Sequence, residues 1–223
     1  MSPFFFGRDL WTGACSCGNG SWVYRCGCWQ QFPTKTPDDK EWVISVLTIR
    51  DSRAEDVPAI ADIYAHWVCH GLASFELEPP DRNEIGRRRL AMLVGGYPHL
   101  VAEDATGAVL GYAYADSYRT RPAYRFSVED SVYVAPVINR RGVGRPLLSE
   151  LLARFELGGW RQVVAVIGDS DNTPSIGLHR ALGFQFAGVL PAVGWRHNRW
   201  VDSVLVTRPL GAGADAAPSD GLS

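Results

Sequence analysis

A strand that leads through a basic, glycine-containing turn into a helix constrains the fold of this chain more than any other segment. Residues 129–134 alternate in character, and the helix beyond the turn carries apolar residues at three- and four-residue spacing. The turn itself contains Arg140, Arg141, Gly142, Val143, Gly144 and Arg145. Gly142 and Gly144 lack Cβ, so the backbone can take unusual φ values there and lie close to a ligand. The N–H groups of the turn, at the positive end of the helix dipole, predict a site for a phosphorylated ligand.

Two other interpretations of the turn are open at this point. Its arginines would also suit an ordinary surface loop whose guanidinium groups are solvated. A dinucleotide-binding loop fits less well, because the turn lacks a third glycine and Gln162 stands where an acidic residue would be expected. Glu129, a few residues upstream on the same strand, favours a transferase that uses a phosphate-bearing donor.

Composition argues against several classes of protein. Hydrophobic residues make up 46% of the 223 residues, which is enough to form the core of one domain with appendages. The net charge of −2 gives no indication of nucleic-acid binding. No apolar run approaches the ~20 residues that a membrane-spanning helix needs. The first residues also lack the basic and long apolar regions of a secretory signal, so we interpret the protein as cytoplasmic.

The chain divides by composition into three parts. Residues 1–45 are rich in cysteine and tryptophan, residues 46–210 have regular α/β patterning, and residues 211–223 resemble a disordered tail. Four cysteines of the first part, at 15, 17, 26 and 28, could bind zinc, but paired cysteines in zinc sites usually have wider spacing. We favour a mis-assigned translation start over a true N-terminal extension, and we expect no metal.

The patterning of residues 46–210 predicts seven strands and four helices. Strands are expected near residues 46–50, 99–103, 109–117, 126–134, 163–167, 184–193 and 199–207. Helices are expected at 54–68 and 81–94, from the turn to Gly158, and from Thr173 as N-cap to Leu182. This order predicts an α/β fold, with a mixed central sheet of about seven strands and helices on both faces.

Four segments carry a resemblance to a known family. They are residues 121–124 (Arg-Pro-Ala-Tyr), 128–134 (Val-Glu-Asp-Ser-Val-Tyr-Val), 164–167 (Val-Ala-Val-Ile) and 175–184 (Ser-Ile-Gly-Leu-His-Arg-Ala-Leu-Gly-Phe). Together with the turn and in this order, they resemble the GNAT superfamily of N-acetyltransferases. Within that superfamily the chain is most similar to phosphinothricin and methionine sulfoximine acetyltransferases. The resemblance covers roughly residues 46–208.

The resemblance implies a GNAT fold in which a splayed strand pair holds acetyl-CoA. The turn from Arg140 to Arg145 would grip the pyrophosphate, and the strand residues Val132, Tyr133 and Val134 would pair with the pantetheine arm. Asn172 would contact the cofactor, although it could equally be an ordinary residue at the start of a helix.

Acetyl transfer to an amine also needs proton transfer. Glu129 resembles the catalytic glutamate of the phosphinothricin enzymes and is our candidate base, the alternative being an ion pair with Arg125. Asp130 would point to the opposite face of the strand and be structural. His179 matches a histidine of the same group, as a contact near the thioester and a candidate acid, or else as a packed histidine.

The acceptor site is expected in the loop before the strand that carries Glu129. By resemblance, the residues that bind the acceptor are Arg121, Pro122, Ala123 and Tyr124, although each could be an exposed loop residue. Phe75 and the segment Trp195, Arg196 and His197 could complete the pocket. In such enzymes this last segment often reaches from a partner subunit, which implies a homodimer.

The sequence therefore predicts an N-acetyltransferase that moves acetyl from acetyl-CoA to a small amino-acid-like amine by direct attack, without a metal. The acceptor would be of the phosphinothricin, methionine sulfoximine or methionine sulfone type. Two alternatives are an enzyme that acts on a protein N-terminus, polyamine or aminoglycoside, and a non-catalytic module that binds acyl-CoA.

Overall fold

A computed structural model describes residues 22–25, 28–31 and 47–218. The chain forms two compact units, Met1–Val43 and Ile44–Ser223. In the first, β1 (Trp22–Arg25) pairs antiparallel with β2 (Cys28–Gln31). The cysteines considered for zinc at 15, 17 and 26 lie outside the described residues, as does the side chain of Cys28.

The second unit is built on a seven-stranded sheet with the order β3-β4-β5-β6-β7-β9-β8. Its strands are β3 (Thr48–Asp51), β4 (His99–Glu103), β5 (Val109–Ser117), β6 (Ser127–Val134), β7 (Gln162–Gly168), β8 (Gln185–Arg196) and β9 (Arg199–Pro209). The central pair β6–β7 is parallel, and the other neighbouring pairs are antiparallel. The mixed seven-stranded sheet predicted from the sequence is confirmed.

Four α-helices cover the two faces of this sheet. They are α1 (Val57–His70), α2 (Arg82–Val94), α3 (Gly144–Leu157) and α4 (Thr173–Ala181). Helices α1 and α2 pack on one face and α3 and α4 on the other. A 3-10 turn, Ala54–Asp56, precedes α1, so the α-helix begins later than predicted and extends to His70. No helix among the described residues is both long enough and apolar enough to span a bilayer.

The start of α4 differs from its prediction in one respect. Asn172 rather than Thr173 is the N-cap, and its side-chain oxygen accepts the Ser175 N–H at 3.3 Å. Thr173 and Pro174 are therefore the first two helical residues. The proline costs no hydrogen bond there, because the first N–H groups of a helix have no partner within it.

The hydrophobic core packs on both faces of the sheet. As the sequence predicts, α3 buries one apolar face, which consists of Leu147, Leu148, Leu151, Leu152 and Phe155. These side chains pack against Val128 of β6 and Val163 of β7. Each buried leucine contributes about 1.5–3 kcal/mol. On the other face, Ile60 and Tyr64 of α1 pack against Tyr112 of β5.

Hydrogen-bonded contacts continue beyond the last strand. Residues 211–216 form turns, and the Arg161 guanidinium donates to the Ala217 carbonyl at 3.0 Å. Residues 219–223 of the predicted tail lie outside the described part of the chain.

Candidate active site

The two central strands separate at their carboxyl ends. Strands β6 and β7 pair from Ser127 and Gln162 as far as Asp130 and Ala165. Beyond that point β6 continues to Val134 and β7 to Gly168, but the two strands no longer pair with each other. The predicted splayed strand pair is therefore present, at the centre of the sheet.

The hydrogen-bond pattern of β6 shows which backbone groups face this gap. The Tyr118 N–H donates to Ser127 C=O at 3.4 Å, and the Ala135 N–H donates to Leu110 C=O at 2.9 Å. Odd-numbered residues of β6 therefore bond to β5, since an antiparallel ladder alternates. Val132 and Val134 turn their N–H and C=O groups toward the gap, where an extended ligand can use them.

A cleft of about 590 Å³ extends from the gap to the glycine-containing turn. It brings together most of the predicted cofactor residues, namely Val132, Tyr133, Val134, Arg140, Gly142, Val143, Gly144, Arg145 and Asn172. Arg141 does not line it. Several lining residues were not predicted, among them Trp67 of α1, Ala73 of the following loop and Leu178 of α4.

The two glycines of the turn serve different purposes. Gly142 has φ of +87°, a conformation that residues with a Cβ rarely adopt, and Arg140 precedes it with φ of +66°. The unusual φ predicted for Gly144 is absent, because this residue is already the first of α3. Its missing Cβ instead permits close packing, since a Cβ would lie 3.2 Å from the Leu178 side chain. The turn thus leads directly into the N-terminus of α3, whose unpaired N–H groups favour an anion.

Glu129 lies half-buried on β6, on the sheet face covered by α1 and α2. Burial, together with the charges of Asp130 and Asp116, raises the pKa of Glu129 to about 7, although Arg119 opposes this shift. Among the described residues, no hydrogen bond or ion pair holds its carboxylate. Arg125, which the sequence offered as an ion-pair partner of Glu129, instead places its guanidinium carbon 4.4 Å from the Phe126 ring centroid. A carboxylate in this state can accept a proton near neutral pH.

Asp130 and His179 form a buried pair on the opposite face of β6. His179 Nε2 lies 3.0 Å from Asp130 Oδ2, and Nδ1 lies 2.7 Å from the Ser175 carbonyl oxygen. Burial alone would lower the pKa of His179, but the hydrogen bond and charge of Asp130 outweigh it and raise that pKa. The Ser175 carbonyl and the Asp130 carboxylate are both hydrogen-bond acceptors, so the geometry, like the raised pKa, favours the imidazolium form of the ring. Both nitrogens of His179 are therefore already engaged within the protein.

Asp130 lines a small chamber at the base of the gap. Asp130 Oδ1 is buried and has no hydrogen-bond partner among the described residues. The chamber has a volume of about 50 Å³ and shares Val132, Asn172 and Ser175 with the larger cleft. Its volume and polar wall suit an ordered water molecule.

The predicted acceptor-binding residues form an exposed turn before β6. Arg121 precedes the 3-10 turn Pro122–Tyr124, and all four residues are exposed. The Tyr124 ring contacts Tyr118 edge-on at 5.8 Å, and the Arg119 guanidinium lies 4.9 Å from the Tyr118 ring centroid. The turn therefore presents guanidinium and phenol groups together.

The loop between α1 and α2 is held to the β8–β9 hairpin. Phe75 packs on Gly194 of β8, where a Cβ would lie only 2.0 Å from the phenyl ring. Arg196 is buried and donates to the Val68 carbonyl, and His197 Nε2 donates to the Gly71 carbonyl at 3.2 Å. Arg196 and His197 are therefore engaged within their own chain.

Polar contacts fix the same loop from the helix side. The Tyr64 hydroxyl lies 3.0 Å from both Ser74 Oγ and Glu76 Oε1. Arg88 of α2 forms an ion pair with Glu76 at 2.5 Å. These contacts hold Ala73, which lines the cleft, in a defined position.

Fold and site together define the class of protein. A mixed sheet that opens between its central strands, above a turn built for phosphates, is the arrangement of an acyltransferase that uses acyl-CoA. A family model described as the acetyltransferase (GNAT) family matches residues 59–184. The chain belongs to the GNAT acetyltransferase family.

Individual relatives agree with this assignment. The chain is 55% identical over 171 residues to phosphinothricin N-acetyltransferase of Alcaligenes faecalis, covering 77% of this chain and 86% of the relative. It is 40% identical over 155 residues to the L-methionine sulfoximine/L-methionine sulfone acetyltransferase of Pseudomonas aeruginosa, covering 70% and 90%. The crystal structure of a GNAT superfamily phosphinothricin acetyltransferase from Sinorhizobium meliloti, in complex with AcCoA, is similar with a TM-score of 0.76. That similarity has 45% identity and covers 78% of this chain and 94% of the other.

Proposed function

We propose that this protein transfers acetyl from acetyl-CoA to the primary amine of a small amino-acid-like acceptor. Phosphinothricin, methionine sulfoximine and methionine sulfone are the acceptor types, in line with the names of the relatives. The observation that carries the proposal is Glu129, a half-buried carboxylate beside the gap with no partner among the described residues and a pKa raised to about 7. Residues 46–210 form the transferase domain in this proposal.

The residues of the cleft fit acetyl-CoA. Unpaired backbone groups of Val132 and Val134 suit the amides of a pantetheine arm, which would add to β6 as a short strand. The turn at Gly142, with the N-terminus of α3 and the neighbouring arginines, suits the pyrophosphate. When bound, acetyl-CoA supplies an activated acyl group.

Glu129 acts as the general base in this proposal. A primary α-amino group has a pKa of roughly 8, so the amine arrives mostly protonated and must lose a proton before it attacks. The Val132 N–H faces the gap and donates to the carbonyl oxygen on which negative charge develops as the amine attacks. The C–S bond then breaks, and the departing thiolate takes up the second proton that the nitrogen loses, so the products are the amide and free CoA. Glu129 and the Val132 N–H both belong to β6, so their separation is fixed by the strand.

Asn172 and His179 have positioning roles in this proposal. Asn172 caps α4 and so directs the N-terminus of that helix into the cleft. His179, bonded to Asp130 and to the Ser175 carbonyl, holds α4 against β6. We assign it this role rather than that of the acid, because neither ring nitrogen is available to the gap.

The exposed turn before β6 binds the acceptor. Arg121 and Tyr124 supply a guanidinium and a phenol, a combination that suits a carboxylate together with a phosphinate, sulfoximine or sulfone group. The charge of neighbouring Arg119 already influences the pKa of Glu129, which supports a location of this turn within reach of the base. Pro122 and Ala123 shape the turn between them.

We further propose a cytoplasmic homodimer that associates through the β8–β9 hairpin. Strand β8 is an edge strand, and exposed apolar side chains cluster on this hairpin, namely Phe186, Val189, Leu190, Val193, Trp195 and Trp200. The two indoles, 52% and 62% exposed, contact each other edge-on. Burial of such a surface in a second copy would remove apolar area and an unpaired strand edge from water. Sedimentation of the full chain measures this directly.

The test of the function is thiol release from acetyl-CoA with a panel of amines. Phosphinothricin, methionine sulfoximine and methionine sulfone should support turnover, whereas polyamines and peptide N-termini should not. Gly142→Ala should weaken acetyl-CoA binding, and Gly107→Ala is its matched control. Gly107 has a similar φ of +82° but lies in the β4–β5 turn, so it carries the same strain away from the cleft. Turnover confined to the other amines would contradict the proposed acceptor.

A further inference from the structure

We propose that Trp67 is a positioning residue that fixes the register in which the pantetheine arm lies along β6. The inference rests on the proposed function, since it assigns a role to a side chain that borders the same cleft. Trp67 comes from the last turn of α1 and is 67 residues away from its partner in sequence.

The evidence is a single backbone contact inside the gap. The Trp67 indole N–H donates to the Val134 carbonyl at 2.8 Å. That carbonyl is one of the four backbone groups that β6 turns toward the gap. The indole belongs to α1 and packs on Gly71, the residue that follows the end of this helix. A Cβ at Gly71 would lie 2.9 Å from the indole ring. Trp67 therefore occupies one of the groups that a ligand strand would otherwise use.

This contact favours one arrangement of the cofactor along β6, because the indole already donates to the Val134 carbonyl and borders the cleft beside it. A pantetheine arm carries two amides, and an amide N–H that enters the gap needs a carbonyl to accept it. The Val134 carbonyl already accepts the indole N–H, so the Val132 carbonyl is the inward-facing acceptor of β6, beyond its pairing with β7, that an amide of the arm meets without a competing donor. An amide bound there leaves the Val132 N–H for the thioester oxygen, on the side of the gap nearer to Glu129.

Without Trp67 a second register becomes accessible. The same amide could bind the Val134 carbonyl, two residues and about 7 Å farther along the strand. The thioester would then lie away from Glu129, and the bound cofactor would be unproductive. Trp67 thus disfavours a wrong arrangement rather than strengthening the right one.

Non-productive binding has a distinct kinetic signature. In Trp67→Phe, which keeps a ring but lacks the N–H, we expect kcat and the KM for acetyl-CoA to fall together by up to about twofold, because two registers that each use one β6 carbonyl bind with at most similar affinity. Their ratio, kcat/KM, should not change. Acetyl-pantetheine, which lacks the phosphates that anchor the other end, should show a larger fall. Titration calorimetry with acetyl-CoA should give a Kd that is lower than that of the wild type by the same factor as the KM.

Trp160→Phe is the matched control. It makes the same chemical change in the core, where Trp160 stacks on Tyr97 and is remote from the cleft, so both kinetic constants should stay at wild-type values. A weaker Kd for acetyl-CoA in Trp67→Phe, or a KM that rises at constant kcat, would show that the indole merely packs on the ligand and would overturn the inference. A wild type that binds acetyl-CoA but acetylates none of the amines would instead refute the proposed function, and the calorimetric comparison would still decide the role of Trp67.

Discussion

Replacing Glu129 with glutamine should remove most of the activity and yet stabilise the folded protein at alkaline pH. The environment of Glu129 raises its pKa to about 7 from an ordinary value of 4.5, through burial first and then the charge of Asp130. At a pH between these two values, Glu129 is ionised in the unfolded chain but still protonated in the folded chain. The free energy of unfolding therefore falls as pH rises through this window, and the full cost is present above pH 7. Glutamine stays neutral in both states and removes this cost.

The magnitude follows from the two pKa values. Their difference, 7 − 4.5 = 2.5, corresponds to ~3.4 kcal/mol at ~1.36 kcal/mol per pH unit. Because the carboxylate is partly exposed, solvent screening reduces this to about 1–2 kcal/mol. By the same linkage, the gain in the free energy of unfolding of Glu129→Gln over the wild type should be about a quarter as large at pH 5 as at pH 8. Loss of a positioned base should lower kcat about 10²–10⁴-fold.

Two assays on the same protein preparations test this reasoning. Urea unfolding of wild type and Glu129→Gln at pH 5 and pH 8 measures stability, and thiol release between pH 6 and 9 measures activity. As Glu129 ionises with a pKa of about 7, wild-type kcat/KM should rise about fivefold from pH 6 to pH 7 and about twofold from pH 7 to pH 8, with little further gain from this group. A variant that is less stable than the wild type at pH 8, or equally stabilised at both pH values, would refute the electrostatic argument. Retained activity would refute the role of Glu129 as base.

Two further predictions concern side chains around the site. Gly194→Ala should displace Phe75, cost about 1–3 kcal/mol of stability and raise the KM for the acceptor but not for acetyl-CoA. Gly188→Ala, on the same strand with nothing within 4 Å of its Cβ, should behave as wild type in both assays. Asp130→Asn should cost about 3–5 kcal/mol, because it leaves the charged His179 buried without its carboxylate. Since the pKa of His179 is raised, the pair stabilises the fold fully below pH 6.5 and loses this effect as pH rises through the folded pKa. Thermal unfolding at pH 6 and pH 9 should therefore show a larger deficit at pH 6, and an equal deficit at both would argue against a charged pair.

Local periodicity was sufficient to predict the elements that build the core. The apolar face of α3 repeats with the period of a helix, so the spacing of Leu147, Leu151 and Phe155 alone assigns them to the core. The continuous apolar run of β7 likewise indicates a strand covered on both faces. The glycine-containing turn could be predicted because a positive φ favours glycine, and Gly142 supplies it.

The contacts that complete the site could not be predicted in this way, because they join residues distant in sequence. Trp67 lies at helical spacing from Ile60 and Tyr64 of the α1 core, and this spacing alone does not show that the end of α1 brings its indole to the cleft. Strand alternation put Asp130 on the face opposite Glu129, but it could not identify His179, 49 residues away, as the partner. The sequence predicted Thr173 as the N-cap of α4, and only the backbone geometry shows that Asn172 holds this position.

The parting of β6 and β7 also makes the lifetime of this protein dependent on its own substrate. A ligand that binds only the folded form adds to its stability, by about 2.7 kcal/mol when its concentration is a hundred times its Kd. Here that ligand would supply inter-strand hydrogen bonds which the chain itself does not form at the centre of its sheet. Depletion of acetyl-CoA should therefore increase the fraction of molecules that open and become accessible to proteases. Metabolic supply would then affect not only the rate of the enzyme but also its abundance.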